Sequence, residues 1–169
     1  IIENIMDNKT EEILSEIDQK SPANGDEFDV IVIGAGPAGM STALCARRGG
    51  FKTLLIEQAL PGGQASTAYR IDNYLGFPKG ILGEDLGRFM SEQMDDYENF
   101  YSCEMVEDII QAKDNLKLVR TELNHEYRAK AIVIASGLQP KTLDTDYEKS
   151  FLGRGVSYYA QCDVEMYEG

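Results

Sequence analysis

The stretch "FDVIVIGAGPAG", Phe28 to Gly39, constrains the fold of this chain more than any other. Its first half is a short apolar run rich in β-branched residues, the pattern of a parallel strand buried on both faces. Its second half carries Gly34, Gly36 and Gly39 spaced as G-x-G-x-x-G where the strand gives way to a helix. Each glycine answers a separate demand: Gly34 a tight turn, Gly36 the approach of backbone to a pyrophosphate, and Gly39 close packing of helix on strand. The helix opening at Pro37 turns its N–H groups and the positive end of its dipole toward the same place. Residues 37–48 read as that helix and "FKTLLIE" as a second strand, so the unit is βαβ. Glu57 closes this strand eighteen residues after Gly39. An acid there holds both ribose hydroxyls and repels a 2′-phosphate, which favours FAD or NAD over NADP. The glycine pattern alone is weak, but strand, helix and acid in register would be a coincidence of three independent features.

Composition narrows the partners. The chain has 169 residues, 43% of them hydrophobic, enough for one real core, and the length fits a single domain or a piece of a larger protein. Its net charge of −13 repels phosphate backbones and anionic lipid heads, so neither nucleic acid nor a membrane surface is an expected partner. No window is apolar enough to span a bilayer, and the acidic start is unlike a signal or transit peptide, so a cytoplasmic location is expected. Ile1 at the start and "MYEG" at the end read as the limits of a fragment. Cys45, Cys103 and Cys162 are odd in number and widely spaced, and His125 is the only histidine, so no metal site or disulfide framework is expected. Beside the turn-prone Asn124, His125 reads as a solvated hairpin tip without a role.

Residues 1–27 read as an acidic leader with a short helix striped by Ile13, Leu14 and Ile17. Residues 58–83 read as a long loop, a length that compact domains reserve for binding. "EDLGRFMSEQMDDYENF" then places Leu86, Phe89, Met90, Met94 and Tyr97 on one helical face, toward the core. "EMVEDIIQA", "LKLVRTE" and "EYRAKAIVIAS" are spaced as an antiparallel meander whose last run returns to the sheet, buried on both sides.

"DVIVIGAGPAGMSTA", "PGGQASTAYRIDNYLGFP", "AIVIASG" and "GRGVSYYAQCD", in that order between Asp29 and Asp163, together resemble the low-molecular-weight thioredoxin reductase family of FAD/NAD(P) disulfide oxidoreductases. The likeness implies an α/β protein: a Rossmann-type FAD-binding domain with a parallel sheet and a β-meander crossover, the N-terminal part of a two-domain flavoprotein. It implies a first FAD segment at 28–148 and, at 149–169, a connection into a pyridine-nucleotide domain. The second glycine fingerprint, for NAD(P)H as donor, would lie beyond Gly169, as would the chain that completes the FAD domain. The likeness puts the FAD pyrophosphate on Gly34, Gly36, Pro37, Ala38 and Gly39, and its adenosine ribose on Glu57. Gly62, Gly63, Gln64 and Asn73 then fall near the ribityl chain and flavin, Val106 beside the adenine, and Ser136 and Gly137 near the cofactor. It also implies a homodimer and a small redox protein, thioredoxin-like or ferredoxin-like, as partner.

The family's redox loop reads Cys-x-x-Cys-Asp; this chain has Tyr159 at the first cysteine and keeps Cys162 and Asp163. In the family the retained sulfur is the one nearer the flavin and the acid supplies its proton, while the lost sulfur attacks the substrate disulfide. Three routes stay open: electrons go to another carrier with Cys162 a vestige, Cys162 cycles alone, or a remote cysteine resolves it. Cys45 and Cys103 read as small buried hydrophobes. An FAD-dependent oxidoreductase is therefore expected, set against a non-catalytic flavin-binding or regulatory module and an NAD-linked dehydrogenase.

Overall fold

In a computed structural model the described residues are 22–94, 101–112, 114–139, 141–143, 145, 147–152 and 154–158. The acidic leader up to residue 21, Tyr97, Tyr159, Cys162 and Asp163 lie outside them. The βαβ unit forms from β1 (Glu27–Ile33), α1 (Pro37–Arg48) and β2 (Thr53–Glu57). Helix α1 starts on Pro37, whose fixed φ suits the first turn and whose missing N–H is no loss there. It ends with Arg47 and Arg48 against the negative end of its dipole. A short helix α2 (Gly63–Thr67) and the bridge between Ile71 and Ile81 give structure to the stretch read as a loop. Then follow α3 (Gly83–Met94), β3 (Tyr101–Cys103), β4 (Val106–Gln111), β5 (Lys117–Thr121), β6 (Glu126–Ile134) and the short α4 (Glu148–Phe151).

The six strands lie in the order β3-β2-β1-β6-β5-β4. β1 is flanked in parallel by β2 and β6, with Val30 opposite Thr53 on one side and Ala131 on the other. β4, β5 and β6 form the antiparallel meander. Successive side chains on a strand point to opposite faces, which divides the core in two. Ile31, Leu54, Ile56, Val119 and Tyr127 pack on one face. Val32, Ala35 and Leu55 pack on the other against Met40 and Ala43 of α1, with Met90 and Met94 of α3 beside them.

β3 and β4 are the two edges of this sheet, yet only Glu104 and Met105 separate them in the chain. Three peptide steps reach at most about 10 Å, so the sheet must curl until its edges meet at this end. The backbone bonds record the crossing: Glu104 N–H extends the β2 side by donating to the Glu57 carbonyl at 2.9 Å, and the Met105 carbonyl accepts from Glu122 N–H, beyond β5, at 2.9 Å.

Three expectations need correction. Phe89 is 42% exposed, its ring under the Arg88 guanidinium rather than in the core. β6 is not buried on both sides: Ala131 and Ile134 are exposed, because among the described residues no helix covers its end. Cys45 and Cys103 are both exposed, Cys45 because α1 turns Gly39, Met40 and Ala43, not that position, toward the sheet. No described helix is long and apolar enough to cross a membrane.

Candidate functional site

The fingerprint turn is held by three hydrogen bonds in sequence. Gly34 N–H donates to the Ile56 carbonyl at 2.8 Å, Ala35 N–H to Glu57 Oε2 at 2.7 Å, and the Ala35 carbonyl accepts from Gly62 N–H at 2.8 Å. The buried Ala35 peptide is thus clamped between the acid that ends β2 and the glycine pair that opens α2. The sequence follows from this geometry. Gly34 has φ of +101°, which L side chains rarely adopt. A Cβ on Gly39 would run into the Gly34 carbonyl, so α1 can sit this close only with glycine there.

Gly36 differs from both. Its φ is ordinary, and the nearest atom to a Cβ built there is Gly63 Cα at 3.9 Å. Packing does not require glycine at this position; the space in front of it is open. No side chain caps the first turn of α1 and no acid stands in that turn, so its N–H groups and dipole face the same space uncompensated. These are the properties of a phosphate cradle. Pro37 opens the helix and Ala38 is exposed beside it. The second glycine turn closes on the first: a Cβ on Gly63 would touch Gly36 Cα at 3.0 Å. From α2 the Gln64 amide donates to the Leu138 carbonyl, bringing the exposed Ser136–Gly137 loop to the same end of the sheet. Asn73 is exposed on the loop closed by Ile71 and Ile81, and no hydrogen bond among the described residues joins it to the glycine turns.

Glu57 spends one acceptor site on Ala35 N–H and another on Ala59 N–H, at 3.1 Å. A carboxylate has about four such sites, so two remain for a ligand. Because it holds the turn as well, Glu57→Ala should cost about 1–3 kcal/mol even without ligand, by freeing the buried Ala35 N–H. Urea unfolding of the apo-protein checks this, and Glu57→Gln, which keeps an acceptor, should lose less.

A cleft beside the turn is lined by Gly34, Glu57, Gln58, Met105, Val106 and Ser136, with Glu104 in its wall. Sequence reasoning passed over Glu104. It is 3% exposed, and four groups converge on it: the Ser102 and Thr121 hydroxyls, the Tyr127 phenol at 2.8 Å and His125 Nδ1 at 3.1 Å. His125 is therefore not a bystander on a solvated tip. The turn beside it forms as expected, with Asn124 at φ of +60°, but the ring is half-buried against the carboxylate. Burial pushes the Glu104 carboxyl up, but the bonds from Ser102, Thr121, Tyr127 and His125 together hold it below its ordinary value. Burial and the adjacent Glu104 charge push the Tyr127 phenol far up, so it remains a donor. The Glu57 carboxylate, which lines this cleft with acceptor sites to spare, disfavours an added phosphate on a sugar bound there.

The sequence profile of a family described as pyridine nucleotide-disulphide oxidoreductase matches residues 28–166. A thioredoxin reductase of Bacillus subtilis is 39% identical over 142 residues, covering 84% of this chain and 44% of that protein. The crystal structure of a thioredoxin reductase from Streptococcus pyogenes matches with TM-score 0.68 at 38% identity, over 83% of this chain and 45% of that one. A ferredoxin-flavin thioredoxin reductase from Clostridium acetobutylicum matches with TM-score 0.62 at 29% identity, over 85% and 49%. The chain spans less than half the length of these relatives.

Proposed function

The chain belongs to the pyridine nucleotide-disulphide oxidoreductase family, and from that premise we propose that residues 28–148 are the first segment of the FAD-binding domain of a thioredoxin-reductase-like flavin oxidoreductase. The observation that carries this reading is the clamped Ala35 peptide, which presents two facing glycine turns and an uncapped helix end to one space. That space suits a pyrophosphate, and Glu57 beside it suits an unphosphorylated ribose.

In this reading the N–H groups of Gly36, Ala38, Gly39 and the rest of the first turn of α1 hold the diphosphate, while Pro37, which has no N–H, contributes shape alone. The free acceptor sites of Glu57 take the ribose hydroxyls. Val106 lies beside the adenine, Gly62, Gly63, Gln64 and Asn73 face the ribityl chain and flavin, and Ser136 and Gly137 close the cofactor in. Bound FAD supplies the two-electron chemistry, which the protein places and shields.

Electrons enter from NAD(P)H or a small carrier and leave to an acceptor other than through the loop's own disulfide, since Tyr159 replaces one of its two sulfurs. The relative named a ferredoxin-flavin thioredoxin reductase supports a ferredoxin-like protein among the candidate partners. Residues 149–169 lead into a pyridine-nucleotide domain, and the whole enzyme is a homodimer. The full-length polypeptide should be purified with flavin absorbance that NADPH, NADH or a reduced ferredoxin bleaches without oxygen. Cys162→Ser should leave that bleaching, and reoxidation by a non-disulfide acceptor, unchanged. A protein that neither carries nor takes up FAD is incompatible with the reading. Bleaching by no donor would make it a flavin-binding module instead.

A further inference from the structure

Glu104 occupies the two-residue crossing where the edges of the sheet meet, and its side chain and its backbone neighbours face different ways. The carboxylate is gripped by β3 through Ser102, by β5 through Thr121, by β6 through Tyr127 and by His125 from the turn between β5 and β6. Met105 and Val106, which follow it, line the cleft shared with Glu57. Met105 is itself fixed at both backbone groups, its N–H on Glu122 Oε1 at 3.2 Å and its carbonyl under Glu122 N–H at 2.9 Å. Beyond it the register of β4 on β5 shifts between Val106 and Asp108, so regular pairing does not by itself set Val106.

A carboxylate is the group this position requires. Two oxygens with about four acceptor sites satisfy four converging donors at once, whereas an amide of the same shape offers one oxygen and turns its own N–H groups on the rest. We propose that Glu104 is a positioning residue for adenosine recognition: held by three strands and a turn, it sets the Met105–Val106 backbone as a fixed wall of the cleft opposite Glu57. The inference rests on the FAD reading above and adds a residue that need not touch the ligand. Its ligand class is an adenosine with a free 2′-hydroxyl, the end of the dinucleotide remote from the reacting ring.

The test uses the full-length polypeptide stripped of flavin, with FAD rebinding followed by flavin fluorescence and displaced by either half of the molecule. In Glu104→Gln, the inhibition constant of AMP should rise about tenfold while that of FMN stays the same. A rise shared equally by AMP and FMN would mean general loosening and would overturn the proposal, as would an unchanged AMP constant. If Glu104→Gln does not fold, Thr121→Val removes a single donor and should show the same split at about threefold. Wild-type protein that fails to bind FAD would bring down this proposal together with the reading beneath it; wild-type binding without the split brings down this proposal alone.

Discussion

Gly39→Ala is expected to destabilise the protein by about 3 kcal/mol, whereas Gly36→Ala, three residues away in the same motif, should not destabilise it. At Gly39 the new methyl group meets the backbone carbonyl of Gly34, and the side chain of Ala135 stands behind it at 3.4 Å. Neither the Gly34 carbonyl nor the Ala135 methyl group, which is attached directly to its backbone, can yield as the end of a flexible side chain would, so α1 must lift from the sheet and open the packing around Met40 and Ala43. At Gly36 the backbone is already in a conformation alanine adopts, and the methyl group meets nothing closer than 3.9 Å. It would occupy the space kept for the ligand and weaken FAD binding at least about tenfold, the loss expected when one hydrogen bond to a charged phosphate is given up. Urea unfolding of the apo-proteins and flavin content after purification separate the two effects. Equal destabilisation by both substitutions, or a Gly36→Ala protein that keeps its flavin, would show that the cradle has been misread.

Removing the Glu104 carboxylate should be the more damaging change on the other side of the cleft. Glu104→Leu leaves the Ser102, Thr121 and Tyr127 hydroxyls buried without their acceptor, and the expected loss is about 3 kcal/mol or more. Acid should reach the same bonds by titration. Because the carboxyl is held below its ordinary value of 4.5 in the folded protein, its contribution is complete above that value. It is lost as pH falls through the lower, folded value, where protonation removes acceptor sites. The stability of wild type should therefore fall as pH drops below 4.5 with a component that Glu104→Leu lacks. Unfolding free energies measured across that range for both proteins check it; an identical pH slope in the variant would remove Glu104 as the titrating group.

Legibility in the sequence followed the length over which each feature is encoded. Helix α1 was readable to its ends, Pro37 and Arg48, because a proline start, a basic finish and small residues facing the sheet are all local. The same holds for β2 ending on Glu57 and for the three strands of the meander. Strand β3 escaped because three residues, Tyr101–Cys103, are too few to show an alternation. The network on Glu104 escaped for the opposite reason. Thr121, His125 and Tyr127 stand 17 to 23 residues from it in sequence, and only the curl of the sheet makes them neighbours. His125 was read from the turn residue beside it, and the turn is there, but what its ring touches depends on the opposite edge of the sheet. The apolar run ending β6 read as buried on both sides because composition cannot tell a covered face from an uncovered one; Ile134 is 68% exposed.

The strand order also decides when the protein can finish folding. β1 pairs on one side with β2, about twenty residues further on, and on the other with β6, about a hundred residues further on. Contacts of long sequence separation form slowly, because the loop must close before any of its bonds repay the lost entropy. During synthesis at about 5–20 residues per second, the free edge of β1 stays unpaired for several seconds after its other edge is covered. Strand β1 is thus among the first parts of the sheet to be made and among the last to be completed, and an extended segment of another chain would compete for its free edge in that interval.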